Sequence, residues 1–448
     1  MASLLGSPRL AVLGAIGGAA VLYRLIARRL SLSATSRIGV PLPRAPEHGV
    51  CIYLDYQATT PVFPEVANAA KPYLDLHWGN PSSGHAFGKP SALAVQKARA
   101  AVSQLIGASS EEILFTACGS ESDNHAIMGV IEAEVARRRM AGIKSDPPPH
   151  VVTSNIEHPA IIECLEAARA CGRADVTYVP ADGEGRVSAK AISAALTPHT
   201  VLVTVMHANN EVGSVQPIAE IVAACRAKMP GVLVHTDAAQ SVGKMAVDVK
   251  TLDVDLLTLV GHKFGAPKGV AALYIRNGLK LPNFLHGGGQ EGGRRAGTEC
   301  VVLVAALGKA AEIALAEAGA QQEHMRATRD RLATLLWEGL GEGVLRRNGP
   351  KAEEHRLPNT LSVGIRGVKA SALLATLSEK VAASAGAACH TDHACISVVL
   401  RAMDVPHDYA VGTLRLSTGR HTTMDDVERG AALIIEQAKL QQQQHAMQ

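Results

Sequence analysis

Leu256-Leu257-Thr258-Leu259-Val260-Gly261-His262-Lys263 runs directly into Phe264-Gly265-Ala266-Pro267-Lys268-Gly269. The apolar run reads as a buried strand and the Gly/Pro-rich segment after it as a turn. A lysine on a turn at a strand end can sit in a cleft, where burial lowers its pKa and makes it nucleophilic. One such lysine is weak evidence, because most lysines are solvated surface charges. Its neighbours in the sequence carry the rest of the argument.

Working outward, further apolar runs at 113–116, 150–154, 176–179, 201–206, 232–236, 255–260 and 270–275 read as strands. Helical patterns fall between several of them, for example from Asp123 onward and over 218–228. This order predicts an α/β fold, with a mostly parallel sheet sandwiched by helices. Residues 138–149, with three consecutive prolines, read as an exposed loop insertion. A helix-rich stretch over 301–341 leads to a second alternating region ending near 437, read as a smaller C-terminal α/β domain. The expected organisation is a large domain over 61–305, a small domain combining 47–60 with 306–438, and a disordered polar tail at 439–448.

The chain has 448 residues, 47% of them apolar and 19% charged, which is the balance of a globular protein with a sizeable core. Its net charge of +3 is unevenly placed. Residues 1–46 hold Arg9, Arg24, Arg28, Arg29, Arg37 and Arg44 and no acid, so the remainder is mildly acidic. That argues against nucleic-acid binding. The eight cysteines are scattered without paired spacing, which fits free thiols in a reducing compartment. The leader combines an uncharged run at 10–23 with an Arg/Ser-rich stretch. It reads as an organellar (mitochondrial or plastid) targeting segment, a short membrane anchor, or a dispensable or secretory leader. A cytosolic location is the alternative.

Ligands of open parallel sheets bind at the carboxyl ends of the strands. Thr116-Ala117-Cys118-Gly119-Ser120-Glu121-Ser122 lies between a strand and a helix and suits a phosphate. Glu157-His158, His207-Ala208-Asn209-Asn210-Glu211 and His235-Thr236-Asp237-Ala238-Ala239-Gln240 each put polar groups where an apolar run stops. His286 to Thr298 forms a glycine-rich loop able to close on an anion. A phosphate cradle, a ring-binding aspartate and a Schiff-base lysine together describe pyridoxal phosphate (PLP). On that reading Lys263 carries the cofactor and Asp237 keeps its pyridine nitrogen protonated. Gln240 and Asn210 hydrogen-bond around its phenolic oxygen, and His158 stacks on its face. Ser384-Ala385-Gly386-Ala387-Ala388-Cys389 places a thiol after small residues, where it can reach a substrate. Cys389, His390, Asp392, His393 and Cys395 crowd together, but without the usual zinc-ligand spacing, so no metal is expected.

Tyr53-Leu54-Asp55-Tyr56-Gln57-Ala58-Thr59-Thr60-Pro61, Gly79-Asn80-Pro81-Ser82-Ser83, Glu157-His158, Asp237-Ala238-Ala239-Gln240, Gly261-His262-Lys263, Arg295-Ala296-Gly297-Thr298 and Leu414-Arg415-Leu416-Ser417 together resemble the cysteine desulfurase / selenocysteine lyase family. This is a class V aminotransferase group within PLP fold type I, and the likeness covers about residues 50–437. The segment from Gly386 to His393, Gly287-Gly288-Gly289-Gln290-Glu291, and Val260 before Gly-His-Lys resemble the selenocysteine lyase branch. Pro159 departs from it, since animal selenocysteine lyases carry aspartate after the active-site histidine. Cys300 also departs, standing where asparagine is common.

The resemblance implies that Gly119, Ser120 and His262 bind the phosphate, with Thr298 reaching it from a partner subunit in a homodimer. It implies that His158, Asn210, Asp237 and Gln240 hold the ring. Arg415 would bind the substrate carboxylate, assisted by Asn80, and Cys389 would act on the chalcogen. The expected reaction is release of selenium from L-selenocysteine to give L-alanine and selenide, with L-cysteine desulfurated as a second substrate and a selenium or sulfur acceptor protein downstream. The alternative is a cysteine desulfurase supplying persulfide sulfur for iron–sulfur clusters or thiolation. A transaminase on the same fold would have no need of Cys389. The intact lysine and ring-binding residues speak against a cofactor-free scaffold.

Overall fold

The computed structural model describes residues 51–143, 146–388 and 395–446. The expected targeting or anchoring segment at 1–46 lies outside the described residues, as do Cys389, His390, Asp392 and His393.

The chain order begins with strand β1 (Ile52–Tyr53), helix α1 (Gly88–Leu105), β2 (Ile113–Thr116) and helix α2 (Gly119–Met140). It continues through β3 (His150–Ser154), α3 (Pro159–Ala170), β4 (Asp175–Val179), β5 (Thr200–Thr204) and α4 (Ile218–Lys228). Then come β6 (Leu233–Asp237), β7 (Leu256–Val260) and β8 (Ala271–Ile275). These strands form one seven-stranded sheet in the order β2-β8-β7-β6-β5-β3-β4. Only β8 runs against the others. The carboxyl ends of the other six strands therefore share one edge, and the polar segments singled out in the sequence emerge there.

Both faces of this sheet are covered, which is why its strands read as unbroken apolar runs. Alternate residues go to opposite sides. Phe115, Val152, Val203, Leu257 and Leu259 join one core with α1 and α4. Leu114, Val151, Leu202, Leu256 and Leu273 join the other with Ile127 and Ile131 of α2 and Ile161 and Leu165 of α3. Leu256, Leu257 and Leu259 are fully buried, and each contributes about 1.5–3 kcal/mol by leaving water.

Helix α5 (Val301–Ala316) packs its Val304, Leu307, Ala311 and Ala314 face into the first of these cores. The large body therefore extends past the boundary expected at 305. The i, i+3, i+7 apolar stripe decides this, and Gly308 lets α5 approach α1 so closely that a Cβ would lie 2.6 Å from Ala98 Cβ.

The main remaining elements are α6 (Ala318–Leu340), β9 (Leu345–Asn348), β10 (Thr360–Ile365), β11 (Val381–Ala382), β12 (Ser384–Ala385), β13 (Ala387–Ala388), β14 (Cys395–Ile396), β15 (Thr413–Ser417) and α7 (Met424–Ala446). A four-stranded antiparallel sheet, β12-β15-β10-β9, forms their centre. Its core takes Ile52 and Leu54 from β1 and the residue after it, together with Leu332 and Leu336 of α6 and Val427 and Ile434 of α7. Strand β1 pairs in parallel with β11, which carries the segment from Asp55 to Thr60 to the site.

The start of the stretch read as a disordered tail is helical instead. Helix α7 continues through 439–446, Gln441 Oε1 accepts from the Lys369 amide at 3.1 Å, and Gln442 Nε2 donates to the Arg366 carbonyl at 2.8 Å. Glutamine is a good helix former, and these two bonds tie the last turns down. Helix α2 likewise starts at Gly119, four residues before Asp123. Glu121 in its first turn accepts from the Ala117 amide at 2.8 Å, satisfying a donor just before the helix. It runs on to Met140, so the loop read over 138–149 begins only at Ala141, and Arg138 is buried against Glu134.

Candidate active site

The strand ends enclose a cavity of about 250 Å³. Gly119 and Ser120 come from α2, His158 from the turn after β3, Asn210 from the segment after β5, Asp237 and Gln240 from β6 and the turn after it, and His262 and Lys263 from the turn after β7. The structure thus brings together eight of the residues singled out in the sequence. Gly265 makes the turn beneath Lys263 possible. It has φ of 95°, and a Cβ there would lie 2.3 Å from Phe63 Cε2.

Lys263 Nζ donates to the carbonyl oxygens of Gln57 at 2.8 Å and Ala58 at 2.9 Å. Burial, reinforced by the positive charge of Arg415, pulls its pKa down to about 8. At neutral pH a usable fraction of the amine is unprotonated, as a nucleophile requires. Asp237 Oδ1 accepts from the Ala239 amide at 2.9 Å, and among the described residues no donor meets the other carboxylate oxygen. Burial raises the Asp237 pKa, against the Ala239 N–H, His158 and Lys263. A protonated nitrogen placed opposite would compensate that carboxylate.

His158 caps α3, its Nδ1 accepting from the Ala160 amide at 3.1 Å. The proton of the neutral ring is therefore on Nε2. Burial lowers its pKa. His262 Nδ1 lies 3.0 Å from Thr59 Oγ1, and burial, then Lys263 and Lys268, pull its pKa to about 4.

The N-terminus of α2 opens into the cavity. Cys118, the N-cap, offers no side-chain cap, and its 22-residue helix directs partial positive charge at the space beside Gly119 and Ser120. A Cβ on Gly119 would lie 2.7 Å from Val260 Cγ2, so the cradle admits only a bare backbone without adjustment. A helix end for a phosphate, an acid for a ring nitrogen and an amine of lowered pKa are the donor set that pyridoxal phosphate requires.

Other expected residues stand elsewhere. Arg415 borders the cavity rather than lining it. Its Nη1 donates to the Asn210 carbonyl at 3.1 Å, its Nη2 to Asp55 Oδ1 at 3.0 Å and Ser384 Oγ at 2.8 Å, and its buried Nε has no partner among the described residues. Asn80 is exposed and outside the cavity wall, its Oδ1 accepting from the Ser82 amide at 2.8 Å. Thr298 is also exposed and lines a separate recess with Arg295 and Cys300.

Several residues of the site had no role assigned from the sequence. Asp123, 2% exposed, lines the cavity one helical turn into α2, with burial and the nearby Asp237 raising its pKa. Gln57 and Lys244 form a buried layer behind Gln240. The asparagine pair also divides. Asn209 is fully buried, donating to the Ile156 carbonyl and accepting from the Glu211 and Val212 amides. Asn210 alone reaches the cavity.

Fold and site together define a pyridoxal-phosphate enzyme of fold type I. Residues 52–429 match the family described as aminotransferase class V, and the chain belongs to that family, whose cofactor is pyridoxal phosphate. It is 41% identical over 379 residues to a cysteine desulfurase of Trichormus azollae, covering 84% of this chain and 90% of that protein. It is 40% identical over 378 residues to the cysteine desulfurase IscS of Clostridium botulinum strain Hall, covering 84% and 91%. Among solved structures, a NifS-like protein superposes with a TM-score of 0.78 at 33% identity, covering 86% of this chain and 99% of that one. A structure of SspA in complex with cysteine gives a TM-score of 0.67 at 32% identity, covering 83% and 99%.

Proposed function

We propose that this chain is a cysteine desulfurase, converting L-cysteine to L-alanine and carrying the sulfur as a persulfide on Cys389. The observation that carries this reading is Lys263 facing Asp237 across a cavity bordered by Arg415. The names of the relatives support cysteine as substrate. They support the desulfurase alternative over the selenocysteine lyase expected from the Gly386–His393 segment, and Pro159 agrees with that preference.

Bound in the cavity, pyridoxal phosphate supplies an electron sink for the bonds broken at the substrate α-carbon. Gly119, Ser120 and His262 would hold its phosphate, Asp237 would face its ring nitrogen, and His158 would lie against the ring. Arg415 orients the substrate carboxylate. Lys263 Nζ takes the α-proton and returns it. The Cys389 thiolate attacks the substrate sulfur, a new S–S bond forms and the Cβ–S bond breaks. The carbon keeps the electron pair and takes a proton, so alanine and a persulfide are the balanced products with no further oxidant. An acceptor protein or thiol then removes the outer sulfur.

A homodimer follows from the same reading. Thr298 is exposed and does not reach the cavity of its own chain. Trp78 and Phe87, stacked at 5.4 Å, lie exposed with Leu74 and Leu76 as an apolar surface for the second subunit.

The test is a competition assay on protein lacking residues 1–46, with cysteine and selenocysteine supplied separately and together. The expected result is alanine from cysteine in amounts matching the sulfide released under reductant, abolished by Cys389→Ala. Alanine formed only from selenocysteine would reinstate the lyase reading.

A further inference from the structure

Lys244 is 4% exposed and lies behind the cavity wall. Its Nζ donates to Gln240 Oε1 and to Gln57 Oε1, each at 2.7 Å. Among the described residues no carboxylate lies within ion-pair distance of it. The charged groups facing it are Lys263 and Arg415, both positive, while Asp55 and Asp237 face Lys263. Burial, joined by those two cations, drives the Lys244 pKa well below that of an ordinary lysine. A charged amine here would cost several kcal/mol. The neutral amine has two N–H groups, and two carbonyl oxygens stand ready to accept them.

Gln240 is held at both ends. Its Oε1 faces Lys244, and its Nε2 donates to the Gln57 backbone carbonyl at 3.1 Å. That carbonyl is an acceptor only and also receives Lys263 Nζ. The amide is therefore fixed with oxygen away from the cavity, leaving the second Nε2–H for whatever occupies it. Gln57 is fixed in turn, with its N–H meeting Ser417 Oγ at 2.9 Å and its Nε2 meeting Thr360 Oγ1 at 2.6 Å. Ser417 and Thr360 belong to the small sheet, so the network spans both bodies of the fold.

We propose that Lys244 is a positioning residue that locks the Gln240 amide with its N–H toward the cavity, where it donates to the phenolic oxygen of the bound cofactor. This rests on the pyridoxal-phosphate reading above. A donor at that oxygen favours its anionic form and lowers the proton affinity of the group conjugated with it. Lys244 acts through Gln240 and touches neither cofactor nor substrate.

The experiment titrates the visible absorption band of the full-length, cofactor-loaded protein against pH. Lys244→Met is expected to move the midpoint upward by about half a pH unit or more, and Gln240→Leu to move it equally. The double variant should show no further shift, because the lysine acts only through the glutamine. Lys244→Gln, which restores one N–H donor, should recover most of the change and serves if Lys244→Met does not fold. An unchanged midpoint in Lys244→Met overturns the proposal. So does a shift that adds in full to that of Gln240→Leu, since a bare electrostatic effect would do that. A wild-type protein that develops no band with pyridoxal phosphate overturns the proposed function as well, so the two failures are distinguishable.

Discussion

Arg415 Nη2 lies 3.0 Å from Asp55 Oδ1, so the arginine beside the cavity already holds a carboxylate of its own. Ser384 Oγ donates to both Asp55 oxygens, at 2.9 and 3.0 Å. Under the proposed function, an incoming amino acid would compete with Asp55 for the guanidinium. Charge-assisted hydrogen bonds are worth about 1.5–3 kcal/mol. Arg415→Gln is therefore expected to raise KM for cysteine by about 10- to 100-fold. Asp55→Asn, which removes the competitor's charge, is expected to lower KM by about two- to fivefold. Steady-state kinetics on both variants check the opposite signs.

Lys263, with its pKa near 8, is unprotonated in about one molecule in ten at pH 7, against about one in 2,500 for an ordinary lysine. The rate at which cofactor-free protein takes up pyridoxal phosphate covalently should rise with pH and level off above about 8. Stopped-flow absorbance measures it. A midpoint near 10 would mean that burial does not perturb this amine.

Asn209 and Asn210 should separate cleanly. Asn209→Ala strands the buried Val212 amide, the half-buried Glu211 amide and the Ile156 carbonyl and is expected to cost about 2–3 kcal/mol of stability. Asn210→Ala should leave stability nearly unchanged and weaken cofactor or substrate binding instead. Urea unfolding and cofactor titration distinguish them.

Buried histidines set the acid limit of the fold. His207 and His235 are held neutral by burial, with pKa values near 4 and 3. The stability they confer is full above the unfolded value of about 6.5 and is lost as pH falls through about 4 for His207 and about 3 for His235. Glu157 works in the other direction. Burial raises its pKa to about 8, so its contribution is full below about 4.5 and fades as pH climbs to 8. Glu157→Gln should flatten the alkaline side of the stability curve measured by urea unfolding and leave the acid side in place.

The large sheet was legible because both of its faces are buried, so each strand, Leu256–Val260 above all, announced itself as an apolar run ending in polar residues. The cavity wall was legible for the same reason. Chemistry-bearing residues sit where those runs stop, which placed Asp237, Gln240, His262 and Lys263. Lys244 was not legible, and Gln57, although it stands in the Tyr53–Pro61 motif, had no role assigned to it. They act from behind the wall through contacts between segments far apart in sequence, and no periodicity marks them. Asp123 hid inside α2, where an acid near a helix start reads as a favourable charge on the macrodipole. Helix α5, although it follows the loop, carries an apolar stripe that fits the large core, and the sequence reading placed it beyond 305 with the small domain because it opens a helix-rich stretch.

The most direct measurement is a single turnover of purified protein with L-cysteine and no reductant, followed by mass spectrometry of the peptides and quantification of alanine. One sulfur atom added at Cys389 for each alanine formed is expected, and neither product from Lys263→Ala. Alanine without sulfur on Cys389, a keto acid in its place, or turnover that survives Lys263→Ala would contradict the proposed function.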